Sequence, residues 1–225
     1  MGKLIFLGDS VTAGAWDEQG GWANRICSKV MALTAKAYHD KQNSFYCFPY
    51  NLGVSGNTVQ DLIDRLDDEL PRRFDLENVK EEREFLISIG INDVAPDMSL
   101  NKSKVVEEQE FEEKIRTLIS KAQQISTHLA FTGILPVDED LVAPLPWDET
   151  MVFTNERVQT FENIIENVCA QLGVPFLSFY KPWIKRDDYK HLLFDGLHPN
   201  TKGHEILAEQ IFQFILDHDF IKRHS

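Results

Sequence analysis

Cysteine is scarce in this 225-residue chain: Cys27, Cys47 and Cys169 are widely separated, odd in number and contain no C-x-x-C pair. That excludes a disulfide framework and a thiol-based zinc or redox site, and it fits a reducing compartment. Basic residues are also in deficit, with 23 Lys and Arg against 36 Asp and Glu leaving a formal charge of -13. The acidic residues concentrate between Asp61 and Glu84 and between Glu107 and Glu113, and read as solvated helix faces. A field of this sign repels phosphate backbones and anionic lipid headgroups, so no nucleic-acid partner is expected. No uncharged apolar run approaches the ~20 residues that span a bilayer, so no stable membrane insertion is expected either. The opening Met-Gly-Lys-Leu-Ile-Phe lacks the charged start, long apolar stretch and cleavage site of a secretory leader, and position 6 lacks the Ser or Thr of a myristoylation signal. A cytoplasmic protein is the expectation. Internal repeats, low-complexity tracts and Gly/Ser- or Pro-rich linkers are lacking as well, so residues 1–225 are expected to form a single domain.

What the chain does contain is an alternation of short apolar runs with amphipathic stretches. Leu4 to Leu7, Phe45 to Leu52, Phe85 to Ile89, Leu129 to Leu135 and Pro175 to Phe179 are suited to buried parallel strands. Helices are expected over Trp22 to Ala37, Gln109 to Ser126, Asn155 to Leu172 and Thr201 to Leu216. A further one opens at Thr58-Val-Gln-Asp61, a capping-box pattern, carries Val59, Leu62, Ile63, Leu66 and Leu70 on one face, and is expected to stop at Pro71. Repeated β-α units of this kind give an α/β fold with three layers, α/β/α, around a five-stranded parallel sheet. Pro49 cannot donate to a ladder, so the second strand is expected to lie at an edge or to end early. The flavodoxin-like order 2-1-3-4-5 has it at an edge, and it puts the ligand crevice at the carboxyl ends of strands 1 and 3.

Four segments then leave strands at that rim: Gly8-Asp-Ser10 after strand 1, Asn51 to Thr58 with Gly56 after strand 2, Gly90-Ile-Asn92-Asp93 after strand 3, and Asp195-Gly-Leu-His198-Pro199 after strand 5. Singly, each has an ordinary reading: a capped turn at Ser10, a tight turn at Gly56, a left-handed turn at Asn92 and a loop end at His198. Jointly they hold complementary chemistry. A serine hydroxyl is a weak nucleophile that needs a base within hydrogen-bond reach, and an imidazole, titrating near neutrality, can take and return its proton. His198 fits that base, and Asp195, three residues earlier, can fix its tautomer. The negative charge that develops on an attacked carbonyl would meet the backbone N–H groups of Ser10 and Gly56 and the side-chain amide of Asn92.

In order and spacing, these segments resemble the four blocks of the SGNH, or GDSL-like, hydrolase family. The resemblance covers Gly8 to Pro199 and implies Ser10 as nucleophile, Gly56 and Asn92 with Ser10 as oxyanion hole, and Asp195 with His198 completing the triad. Gly21-Trp22 resembles the start of the first helix in small members. Val11 stands where the lipase-like signature has Leu, which leaves the chemistry intact and gives no support to a lipid substrate. The implied activity is serine ester hydrolysis of a small-molecule substrate, meaning small acyl esters, thioesters or lysophospholipids, with no metal and no cofactor. Two alternatives are a carbohydrate O-acetyl esterase and a non-catalytic ligand-binding module. The sequence carries no signal for an oligomeric state.

The other histidines have no partner at motif spacing; His191 is the second choice of base, and His204, Glu205 and Asp195 are too few for a metal site. Asp9 lacks the second acid two residues on that an aspartyl-phosphate enzyme would want, and reads as a turn residue. Residues Pro136 to Phe153 form a long connection with an apolar content, including Leu141 and Trp147, that suits either a pocket wall or a cover for the core. Trp16 and Val94 to Leu100 are the other candidate walls.

Overall fold

The computed structural model describes residues 2–41, 46–78, 80–95 and 106–221. In chain order they form β1 (Gly2–Gly8), α1 (Ser10–Ala13), α2 (Gly21–His39), β2 (Cys47–Gly53), α3 (Val59–Arg73), β3 (Glu82–Ser88), α4 (Ile91–Val94) and α5 (Glu108–Ile125). There follow β4 (His128–Thr132), α6 (Glu139–Val142), α7 (Asn155–Leu172), β5 (Phe176–Leu177), α8 (Tyr180–Trp183), a 3₁₀ turn at Tyr189–Leu192, and α9 (Thr201–Asp217). The five strands pair in parallel in the order β2-β1-β3-β4-β5, the flavodoxin-like arrangement expected. Pro49 lies in the edge strand β2, opposite Leu4 of β1. Phe45 and positions 96–100 of the Val94 to Leu100 loop lie outside the described residues.

Successive side chains of a strand face opposite ways, and here both faces are buried. Leu4, Phe6, Leu86 and Ala130 join the core with Trp22, Ile26 and Val30 of α2 and Leu207 and Ile211 of α9. Ile5, Leu7, Phe85, Ile87 and Phe131 join a second core with Leu62 and Leu66 of α3, Ile115 of α5 and Ile165 of α7. That is the three-layer arrangement. Cys27, Cys47 and Cys169 are free, and burial pushes each thiol up to about 12, so they act as apolar packing groups.

Three elements differ in extent from the sequence reading for identifiable reasons. Helix α3 begins with the expected reciprocal capping box, but it runs through Pro71 to Arg73. Proline removes only its own N–H bond and crowds the carbonyl four residues back; in the last turn this costs little, and Phe74 N–H still closes on the Leu70 carbonyl at 2.9 Å. Strand β4 stops at Thr132 rather than Leu135, and β5 is two residues long. The buried carboxylate of Glu162 takes the N–H of Ile134 at 2.8 Å and that of Tyr180 at 2.9 Å, so both chains leave the ladder for a side chain.

The register aligns the carboxyl ends of the central strands, with Gly8 opposite both Gly53 and Ser88. A Cβ on Gly8 would lie 2.2 Å from the Ser88 carbonyl oxygen and from Thr12 Oγ1, so only glycine lets α1 fold down onto this rim. Among the described residues, no helix is long and apolar enough to cross a membrane.

Candidate active site

Ser10 is the first residue of α1, immediately after strand β1 and its cap Asp9. Its Oγ lies 2.8 Å from His198 Nε2, and His198 Nδ1 lies 2.8 Å from Asp195 Oδ2. A carboxylate can only accept, so Nδ1 carries the proton and Nε2 is left to accept from the Ser10 hydroxyl. The other carboxylate oxygen, Oδ1, accepts the backbone N–H groups of Leu197 at 3.0 Å and His198 at 2.8 Å. Burial raises the Asp195 pKa, but the bonds from the His198 ring and these N–H groups outweigh it and carry the acid down to about 2. Asp195 is therefore ionised at any pH where His198 could act as a base. His191, the second choice of base, lies exposed on the surface.

Asn92 and Gly56 come from the neighbouring strand ends. Gly56 sits at φ 81, a left-handed value that favours glycine, in a turn closed by the Asn57 N–H to Val54 carbonyl bond at 3.2 Å. It precedes the cap of α3 by two residues rather than lying at the helix start itself. Asn92 donates from Nδ2 to the Asn57 carbonyl at 2.9 Å, and the amide retains a second N–H. Asp93 accepts the Val59 N–H at 3.0 Å, a second tie between the same two loops. The other Asp93 oxygen is buried with no hydrogen-bond partner among the described residues, and burial pushes this acid up to about 7. Arg65 completes the support by donating to the carbonyls of Gly8 at 3.1 Å and Leu52 at 2.8 Å. The sequence reading missed Asp93 and Arg65 as supports; spacing carried no signal for either.

Asp9 is buried and accepts the Val11 N–H at 2.9 Å, the turn-stabilising role expected. Burial nevertheless pushes its pKa up to about 6, against the opposing pull of Val11 and His198. An acid whose folded pKa exceeds its unfolded one destabilises the fold once ionised, with the cost growing as pH rises from about 4 to about 6 and constant above. Asp9→Asn keeps the cap and removes this cost, on the order of 3 kcal/mol. Its gain in thermal stability over the native protein is expected to be small at pH 4 and full at pH 8, a difference that melting curves across this range would check.

Two further residues make contacts that the sequence did not disclose. His204 is fully buried and partnered: its Nδ1 accepts the Trp22 N–H at 3.2 Å, so Nε2–H donates to the Ala15 carbonyl at 3.1 Å, and burial lowers its pKa. Trp16, a candidate pocket wall, is exposed beside the site, donates from Nε1 to Asp195 Oδ2 at 2.8 Å and stacks on Phe194 with ring centroids 4.7 Å apart. In the 136–153 connection, Val137, Val142, Leu145 and Phe153 belong to the core, whereas Leu141 and Trp147 are exposed. It reaches the site through the Asp138 N–H, which donates to the Gly196 carbonyl at 2.8 Å. Most of it covers the core, and only two of its large apolar residues are free to meet a ligand. Among the described residues, no group of three or more His, Cys, Asp or Glu side chains is gathered to hold a metal ion.

A five-stranded parallel sheet of this order, with these four loops on one rim, is the architecture of the SGNH hydrolases. The model of the GDSL-like lipase/acylhydrolase family matches residues 6–206, and the chain belongs to that family, a carboxylic ester hydrolase of the GDSL type. An acetylxylan esterase from Geobacillus stearothermophilus is 22% identical over 221 residues, covering 95% of this chain and 93% of that one. A GDSL esterase/lipase of Arabidopsis thaliana is 25% identical over 135 residues, 58% of this chain, and that match spans 53% of the relative's length. The crystal structure of a lipase/acylhydrolase from Enterococcus faecalis superposes with a TM-score of 0.72 at 21% identity, covering 100% of both chains.

Proposed function

We propose that the chain, acting as one domain over residues 1–225, hydrolyses small acyl esters through an acyl-serine intermediate on Ser10. The observation that carries this reading is the continuous line of hydrogen bonds from Ser10 Oγ through His198 to Asp195, each 2.8 Å long. His198 Nε2 takes the hydroxyl proton as Oγ attacks the carbonyl carbon, and the carbonyl electron pair moves onto oxygen. The backbone N–H groups of Ser10 and Gly56 and the Asn92 amide meet that charge. Collapse of the tetrahedral species breaks the ester C–O bond, and the alcohol leaves with the proton held on His198. Water then attacks the acyl-serine by the same route, its proton passing through His198 back to Ser10 Oγ as the acid departs.

A second reading, de-O-acetylation of a carbohydrate, is favoured by one feature: Trp16 and Phe194, 56% and 58% exposed, lie stacked beside the Asp195 carboxylate where a sugar ring could pack. The acetylxylan esterase relative points the same way. Chromogenic esters of increasing acyl length, an acetylated xylo-oligosaccharide and a lysophospholipid, each assayed beside Ser10→Ala, separate these readings. Turnover of acetyl and butyryl esters that disappears in Ser10→Ala is expected. A preference for the lysophospholipid, or activity that survives in Ser10→Ala, would contradict the proposal.

A further inference from the structure

Asp195 accepts four donors: two backbone N–H groups on Oδ1, and the His198 ring and the Trp16 indole together on Oδ2. A carboxylate offers about four lone-pair sites, so this one is saturated. Trp16 is also held in place to an extent unusual for a half-exposed side chain. Its backbone sits at φ 63, a left-handed conformation that disfavours a bulky residue and is kept only when the surroundings impose it. The surroundings do so from both sides. His204 fixes the preceding Ala15 carbonyl, and the following Asp17 is buried in a pair with Arg25 while accepting the Gly21 N–H at 3.1 Å. Phe194, next to Asp195 in the chain, stacks on the indole at an interplanar angle of 14°.

We propose that Trp16 is a positioning residue for the triad: its indole N–H, presented by this pinned loop, shares Asp195 Oδ2 with the imidazole and limits how strongly the carboxylate draws on His198. The inference rests on the acyl-serine reading above. Hydrogen bonding to the charged form of an acid stabilises that form and weakens it as an acceptor for another donor. Removing the indole donor leaves more negative charge facing Nδ1–H and makes Nε2 more basic. The other ionisable groups that interact with His198 are Asp9 and His204, and Asp138, the cap of α6 against Gly196, is paired with Lys190; the exchange of Trp16 for phenylalanine alters none of them.

The test compares Trp16→Phe, which keeps a ring over Phe194 but has no N–H, with Phe194→Leu, which keeps the N–H but loses the stack. In Trp16→Phe the acid limb of the kcat/KM profile is expected to move up by about half a pH unit and kcat to fall about three- to tenfold, with KM little changed. In Phe194→Leu the limb should stay at the native position. In the unaltered protein, the Trp16 indole proton resonance should shift with a midpoint matching that limb, since both donors share one oxygen; this readout stands even if a variant fails to fold. An unmoved or lowered limb in Trp16→Phe, an equal movement in Phe194→Leu, or an indole resonance flat across the limb would overturn the assignment. Phosphonate labelling of native Ser10 separates this outcome from failure of the triad itself: labelling with an unmoved limb removes only the role of Trp16.

Discussion

Asp195→Asn is expected to lower kcat by about 10⁴ while leaving the fold intact. The asparagine amide would donate to His198 Nδ1 in place of accepting from it, which drives the imidazole proton to Nε2. The nitrogen 2.8 Å from Ser10 Oγ would then hold a proton and could not take another. Steady-state assay of a chromogenic ester reads the loss, and a melting curve at neutral pH confirms folding. Acid titration gives a second signature. An acid held at about 2 in the folded protein, against about 3.9 unfolded, adds stability above pH 4 that disappears as pH falls towards 2. The variant lacks that component, so its unfolding curve between pH 4 and pH 2 should be flatter than the native one.

Asn92→Ala carries the second large effect. In the proposed oxyanion hole its second amide N–H meets charge that exists only in the transition state, so kcat should fall by roughly 10² to 10³ with KM nearly constant. The variant also loses the bond to the Asn57 carbonyl, which on its own could displace Gly56. The Asp93 bond to the Val59 N–H remains and holds the two loops together. A fall in kcat without a fall in melting temperature assigns the effect to the amide; full turnover would make Asn92 a structural tie alone.

How far the sequence discloses this molecule depends on the range of the interaction. The strands are legible because both faces of a central parallel strand are apolar, as in Leu4-Ile-Phe-Leu7, and the α3 cap is legible because Thr58 and Asp61 satisfy each other within one turn. The sheet order rests on the flavodoxin-like arrangement, with which Pro49, whose missing N–H suits an edge, is compatible. The segments of Ser10, Gly56 and Asn92 were legible because each follows a strand and parallel strands deliver their following loops to one end, whereas Asp195 and His198, beyond α8 and the 3₁₀ turn, were legible from their own spacing. What escaped were contacts between distant segments. Glu162, on a helix, takes the N–H groups of Ile134 and Tyr180 just beyond β4 and β5, and nothing around Leu129 to Leu135 announces it. His204 reaches Ala15 across 189 positions, and Trp16 reaches Asp195 across 179, through a left-handed backbone that no residue preference for tryptophan suggests.

The central claim is that Ser10 is the nucleophile, and the most direct test is mass spectrometry of the protein after reaction with an organophosphonate ester. A single adduct on the peptide carrying Ser10, formed in step with loss of esterase activity and absent from Ser10→Ala, is the predicted result. An adduct on another serine, or complete inactivation with Ser10 unmodified, would contradict it.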